Sequence, residues 1–227
     1  MLKTVGQCLL CGGASSLRPA ICHGCQNALP VIAHQCQKCG IALPAGAPSL
    51  CGSCLNSPPA FDRCWTLGAY AFPLRELIGR FKFNEDFCAG TALSLLLAER
   101  LTNAWHERPP QVLVPVPLHR IRLAQRGFNQ SVHIARVLAH RLEIPVENAL
   151  CRRTRNTRPQ KGLTASERQR NLKAAFALPS PLPSFEHIAI VDDVVTTMNT
   201  VHEIAGQFKS RGVKRVDVVC LARVLDD

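Results

Sequence analysis

Eight of the chain's twelve cysteines fall in four C-x-x-C pairs within the first 54 residues. The pairs are Cys8-x2-Cys11, Cys22-x2-Cys25, Cys36-x2-Cys39 and Cys51-x2-Cys54, with ten residues between the first two and eleven between the last two. One such pair suits a redox dithiol, but four in order point to metal. Each knuckle aims two thiolates at one ion, and zinc takes four ligands in a tetrahedron. Consecutive pairing gives two four-cysteine zinc ribbons; interleaved pairing, or a single occupied site, satisfies the same spacing. An iron–sulfur cluster would use the same thiolates and is the weaker reading. Disulfides belong to secreted chains. The opening "MLKTVGQCLLCGG" lacks the apolar stretch of a secretion signal, so a reducing, cytoplasmic setting is expected. His23 and His34 sit beside knuckles and read as bystanders, since eight thiols already suffice.

These metal sites are expected to be structural. Residues 1–57 carry no long apolar periodic run and many turn formers, such as "LPAGAPS" and "CGSC". Metal binding therefore has to stand in for a missing core. "NSPPAF" (56–61) reads as an extended linker, and a second domain is expected over 61–227. There the pattern alternates. Helical spacing runs over 73–83, 88–107, 128–143 and 200–212, with a short helix over 166–175, and strands are expected at 111–117, 187–193 and 215–224. Along 128–143 the expected buried face is Val132, Ala135, Leu138, Ala139 and Leu142. Alternation of this kind gives an α/β fold with a mainly parallel sheet flanked by helices. The remaining Cys64, Cys88, Cys151 and Cys220 read as ordinary buried thiols. The longest apolar stretch, "ALSLLLA", is too short to span a bilayer, so no membrane insertion is expected.

The most telling stretch of the second part is "IAIVDDVVTTMNTV" (188–201). An apolar strand runs into acidic and hydroxyl side chains just before a helix. In a parallel sheet, ligands sit beyond the carboxyl ends of strands. A helix start offers free N–H groups and the positive end of its dipole to a phosphate. Asp192 and Asp193 can accept from sugar hydroxyls, and Thr196, Thr197 and Thr200 can donate to phosphate oxygens. The same two aspartates also suit a plain helix cap.

"IVDDVVTTMNT" resembles the phosphoribosyl-pyrophosphate (PRPP) loop of type I phosphoribosyltransferases. Together with "VPVPLHRIRLAQRGFNQS" (114–131), "RPQKGLTASERQRNLKAAF" (158–176) and the cysteine ribbons, it resembles the ComF family of competence and DNA-utilisation proteins, GntX among them. The resemblance covers essentially the whole chain. It implies a type I phosphoribosyltransferase-like domain with Asp192 and Asp193 on the ribose hydroxyls. Thr196, Thr197, Met198, Asn199 and Thr200 would lie around the 5′-phosphate. His119, Arg122, Arg126, Gly127 and Asn129 would stand at the pyrophosphate loop, and Gln160, Arg168 and Asn171 on a closing loop. It further implies Mg2+ with the pyrophosphate, structural zinc, and DNA-processing or competence proteins as partners. Lys82 matches a family lysine. Met198 departs from the family glycine: if that position needs positive φ, its Cβ is strained, which puts catalysis by Asp192, Asp193 and Arg168 in question.

Charge adds a second theme. The formal net charge is +11 and the pI about 9.4, and residues 120–173 alone carry thirteen Arg or Lys against three Glu. Arg152, Arg153, Arg155 and Arg158 are expected on a mobile phosphate-binding loop that suits single-stranded DNA. With only Phe128 and Phe176 nearby, base stacking has little to work with. Two other readings remain open: a non-catalytic nucleic-acid adaptor with a vestigial sugar-phosphate pocket, and a redox protein using its dithiols.

Overall fold

A computed structural model describes residues 6–15, 20–155 and 175–225. The expected helix over 166–175 lies almost wholly outside them, as do Arg158, Gln160, Arg168 and Asn171. The first cysteine module is a short antiparallel ribbon, β1 (Gly6–Gln7) with β2 (Ala14–Ser15), followed by α1 (His23–Asn27). The second closes on an isolated bridge between Gln35 and Ala42 and on α2 (Gly52–Asn56). Then come β3 (Arg63–Ala69), α3 (Leu74–Phe83), α4 (Phe87–Ala104), β4 (Val112–Pro115), α5 (Arg120–Arg126), α6 (Gln130–Leu142), β5 (Arg152–Arg153), β6 (Phe176–Ala177), β7 (His187–Val195), α7 (Asn199–Ser210) and β8 (Arg215–Arg223).

Strands β3, β8, β7 and β4 pair in that order, all parallel. The apolar runs of β7 and β8 are buried on both faces, as a parallel sheet between helices requires. Alternate residues part between two cores. Ala189, Val191, Val219 and Leu221 meet the side chains of α3, α4 and α6. Ile188, Ile190, Val216, Val218 and Cys220 meet Val201, Ile204, Ala205 and Phe208 of α7.

Several details differ from the sequence expectation. Strand β3 was not foreseen, because "RCWTLGA" mixes charge and glycine into a short run. The buried face of α6 is Gln130, Ser131, Ile134, Ala135 and Leu138; Val132, Ala139 and Leu142, expected inside, are half-buried. Cys88 is exposed, whereas Cys64, Cys151 and Cys220 are buried as expected.

At the amino ends of the strands, opposite the ligand-binding end, sits the buried carboxylate Asp217, fully inaccessible. It accepts from Trp65 Nε1 at 3.0 Å and Trp105 Nε1 at 3.2 Å. Arg215 adds a two-pronged contact at 3.0 and 3.1 Å, and His187 Nε2 lies 3.4 Å away. Burial alone would raise its pKa, but His187, Arg215 and Trp65 outweigh it and bring it down to about 2.

The cysteine modules are docked on the sheet. The Ala69 amide donates to Pro30 O at 2.8 Å. Gly68 permits that approach, since a Cβ there would lie 2.6 Å from the same oxygen. Arg80 of α3 donates to Leu9 O at 2.6 Å.

Candidate functional site

The carboxyl ends of β4 and β7 bring the acidic pair into place. Strand β7 runs two residues further than its sequence pattern suggests, because β8 continues beside it and pairs Asp192 with Cys220 and Val195 with Arg223. Both aspartates stand on the strand, as its expected span 187–193 has them; Val194 and Val195 extend it, and the turn proper is Thr196–Met198. Asp193 is buried and forms an ion pair with Lys82 at the end of α3, Nζ to Oδ2 2.7 Å. Asp192 accepts from Ser131 Oγ at 3.2 Å. Burial first, and the charge of Asp193 second, push its pKa up to about 7.

Beyond the aspartates, Asp192 and Val194–Val201 line a small cavity of about 30 Å³. Space of that order holds one or two water-sized groups, the scale of phosphate oxygens rather than of a nucleobase. Thr196, Thr197, Asn199 and Thr200 all border it. Met198 takes the left-handed conformation, φ 64° and ψ −7°, as the N-cap of α7. The position does require positive φ, and a side chain occupies it.

The expected pyrophosphate segment is ordered as α5. His119 caps it, its Nδ1 accepting from the Ile121 amide at 3.3 Å, and Gly127 ends it with φ 74°. Arg126 donates to Gln130 at 3.1 Å. Asn129 was expected on phosphate, but both ends of its amide serve the backbone. Its Oδ1 accepts from the Ser131 amide at 2.9 Å and its Nδ2 donates to Val116 O at 3.0 Å. It holds the strand-to-helix turn in shape.

Of the basic residues expected on a mobile loop, Arg152 and Arg153 instead form β5, laddered against Phe176 and Ala177 of β6. Arg153 lies 5.5 Å from the Phe176 ring centre. Burial lowers its pKa first, then the nearby charge of Arg122, with Asp192 acting the other way. The charges of Arg122 and Asp192 both reach Arg153. Arg152 and Arg155 are exposed.

Each cysteine group closes on itself in consecutive order: Cys8, Cys11, Cys22 and Cys25; then Cys36, Cys39, Cys51 and Cys54, with the sulfurs of each within 4.8 Å of one another. A tetrahedron with metal–sulfur bonds of about 2.3 Å has edges of about 3.8 Å. The Cys11–Cys22 and Cys39–Cys51 sulfurs are 3.8 and 3.6 Å apart. Amides of Cys22 and Cys51 point at Cys8 and Cys36 sulfurs, at 3.4 and 3.3 Å. Burial raises the Cys8 and Cys36 thiols, but backbone N–H groups outweigh it and bring them to about 6 and about 7. Their partners go the other way: the neighbouring Cys22 sulfur pushes Cys25 up to about 12, and burial pushes Cys39 up to about 11, so each group presets one thiolate, and it is the sulfur spacing that fits both groups to one tetrahedral ion each. His23 and His34 are exposed and belong to neither.

One assembly was invisible in the sequence. Phe87, Phe128, His133, Leu118, Leu123 and Asn148 line a cavity of about 570 Å³ beside Pro115 and Asn129. Phe87 and Phe128 rings stand 4.8 Å apart and tilted. These residues come from three stretches of the sequence, at Phe87, over 118–133 and at Asn148, and no local pattern announces the set. Arg223 is the other residue missed, although a charge near the end of "VVCLARV" was a usable signal.

The phosphoribosyl transferase domain family matches residues 129–227. The chain is 38% identical over 178 residues to competence protein F of Haemophilus influenzae, covering 76% of this chain and 78% of that protein. It is 41% identical over 192 residues to the DNA utilization protein YhgH of Escherichia coli, covering 83% of each. Identity to competence protein ComFC of Bacillus subtilis is 29%, over 61% of this chain and 55% of the other. Among solved structures, a purine phosphoribosyltransferase from Pyrococcus horikoshii aligns over 58% of this chain and 69% of its own, with 20% identity and a TM-score of 0.36.

Proposed function

The chain belongs to the ComF family of competence and DNA-utilisation proteins, and from that premise we propose that it binds a PRPP-type phosphosugar at the end of β7 and handles single-stranded DNA during DNA uptake or utilisation. The observation that carries the phosphosugar reading is the Lys82–Asp193 ion pair at 2.7 Å, beside Asp192 and directly before the threonine turn. A cation held against an acidic pair at a strand's carboxyl end is an arrangement that a sugar bearing both hydroxyls and phosphates can use.

In this reading Asp192 and Asp193 accept from the vicinal ribose hydroxyls. The hydroxyls of Thr196, Thr197 and Thr200, with the first amides of α7, take the 5′-phosphate. Arg122 and Arg153 face the pyrophosphate charge, whose bridging Mg2+ would offset more of it. Zinc in the two cysteine groups supplies stability that these short modules lack. The exposed Arg152 and Arg155 offer backbone contacts to a DNA strand.

Met198 favours a second form of the reading, in which the pocket binds without transferring. Its side chain stands where the family glycine leaves the phosphate backbone bare. Calorimetric titration of the zinc-loaded protein with PRPP and Mg2+ tests the proposal, alongside Met198→Gly and Asp193→Asn. Binding lost in Asp193→Asn supports it. Absence of binding in both wild type and the glycine variant refutes a working phosphosugar site.

A further inference from the structure

The strand "VDVVCLARV" ends its buried run on an arginine, and Arg223 is only 1% exposed. A guanidinium taken out of water needs hydrogen-bond acceptors. Here they are all backbone carbonyls. Nε donates to Cys39 O at 3.1 Å, and Nη1 donates to Val195 O at 3.2 Å, to Val224 O at 2.6 Å and to Thr196 O. Cys39 belongs to the second four-cysteine group, while Val195 and Thr196 are the junction between β7 and the threonine turn. One rigid, planar fork therefore fixes the metal module against the turn.

Met198 makes the same link by other means. It is one of the described residues in which a side chain other than glycine's takes positive φ. Such a conformation persists where surroundings over-determine it. Met198 packs on one side against the buried cluster of Cys36, Cys39 and Cys54, and on the other against the core that holds Val195, Val201 and Cys220. The turn is thus tied to the second cysteine group at Thr196 by hydrogen bonds and at Met198 by packing. The buried core of that module consists of three of its own four cysteines, so its shape depends on the ion they hold. Four thiolates around a divalent ion also leave net negative charge beside the buried guanidinium.

We propose that Arg223 is a positioning residue through which the second four-cysteine module sets the affinity of the threonine turn for a phosphosugar, so that metal in the module and ligand in the turn strengthen each other. The proposal rests on the phosphosugar reading of that turn. Coupling of binding equilibria is reciprocal. If metal raises ligand affinity by some factor, the ligand must raise metal affinity by the same factor. A merely structural arginine would leave that factor unchanged when a folded variant replaces it.

The test uses the full chain with both groups zinc-loaded. Zinc transfer to a chromophoric chelator is followed with and without PRPP and Mg2+, and again with ribose 5-phosphate, which needs no Mg2+. A Cys8→Ser, Cys11→Ser variant assigns the signal to the second group. The expected result is about a tenfold tighter hold on second-group zinc with ligand bound, within the usual range of such couplings. PRPP affinity should fall by the same factor when that zinc is removed. Arg223→Lys, which keeps the charge but not the fork, should bring the factor towards one while both zincs stay bound. If it does not fold, Met198→Gly, which removes the second link alone, should shrink the factor. PRPP that binds the wild type without altering zinc transfer, and with equal affinity when the second zinc is absent, overturns this proposal alone. No PRPP binding at all overturns the phosphosugar reading and this proposal with it.

Discussion

Replacing Asp217 by asparagine should destabilise the protein strongly while leaving phosphosugar affinity almost unchanged. The carboxylate is fully buried and faces the indole N–H groups of Trp65 and Trp105, the fork of Arg215, and His187. Its pKa falls from 3.8 to about 2, and at about 1.4 kcal/mol per unit the charged form contributes about 2 kcal/mol. Asparagine removes the charge and also turns an NH2 group towards N–H donors. One buried donor left unsatisfied adds about 1–3 kcal/mol, so the expected loss at pH 7 is about 3–5 kcal/mol, in line with breaking a buried ion pair. The pH signature follows from the sign. A depressed folded-state pKa gives stability that is complete above the ordinary carboxylate value and is lost as pH falls through about 2. Urea unfolding of both proteins at steps from pH 7 downwards should show their gap constant to about pH 4, then narrowing by about 2 kcal/mol. Zinc loss in acid affects both alike and drops out of the difference. Equal urea midpoints at pH 7, or a gap that does not narrow below pH 4, would refute the view that this charge ties β3, β7 and β8 together.

Lys82→Met removes the cation paired with Asp193 and should weaken PRPP binding at least about tenfold by titration calorimetry, consistent with breaking a largely buried, charge-assisted contact. Asp192, held up to about 7, should bind phosphosugar best when ionised. Affinity should therefore fall below pH 7 in wild type, and its pH profile should flatten in Asp192→Asn. Because the folded state holds that proton more tightly than the unfolded chain, wild-type stability rises as pH falls from about 7 towards 4. At pH 8 Asp192→Asn should therefore melt higher, by roughly 1–2 kcal/mol or several degrees. Metal analysis under reducing conditions should find two zincs per chain; a reversible dithiol–disulfide couple with no bound metal would revive the redox reading. Arg152→Gln with Arg155→Gln should weaken single-stranded DNA binding and flatten its salt dependence by about one to two units of slope, and an unchanged slope would show that these exposed cations serve something else.

Much of this was legible because the chemistry is local. Four C-x-x-C knuckles mark metal-ligand chemistry by their spacing, while the fold decides that they group consecutively; an apolar strand followed by Asp192, Asp193 and hydroxyls marks a candidate ligand end. What was missed depended on long-range pairing. Strand β3 gains its identity only beside β8, with Cys64 opposite Val218 and Thr66 opposite Cys220. Strand β7 runs past its expected end to Val195 because β8 runs on beside it, pairing Val194 with Ala222 and Val195 with Arg223. The aromatic cavity around Phe87, Phe128 and His133 assembles from distant segments, so sparse aromatic content did not signal it. Arg153, expected on a phosphate-binding loop, is pinned by β6 and lies among Arg122 and Asp192 instead.

Met198 is where local and global reasoning part. Local rules read a methionine at a glycine position as damage, since positive φ costs a residue with a Cβ roughly 1–2 kcal/mol. The fold supplies an offset that the motif cannot display: burying a methionine side chain gains roughly 1.5–3 kcal/mol when complete, and the partly buried Met198 recovers part of that against the cysteine group. The two terms are of similar size, so the turn keeps its shape without glycine. Where glycine would leave the turn's backbone bare, Met198 makes a contact between the turn and the second cysteine module. The sheet explains why such a contact is available. A four-stranded sheet leaves two edges open to unwanted pairing. The β4 edge is bridged by Val146, and the β3 edge is covered by the first module through Pro30 and by Gly40 of the second, set against Cys64. Modules needed to close an edge already stand beside the turn, and a single side chain suffices to join them.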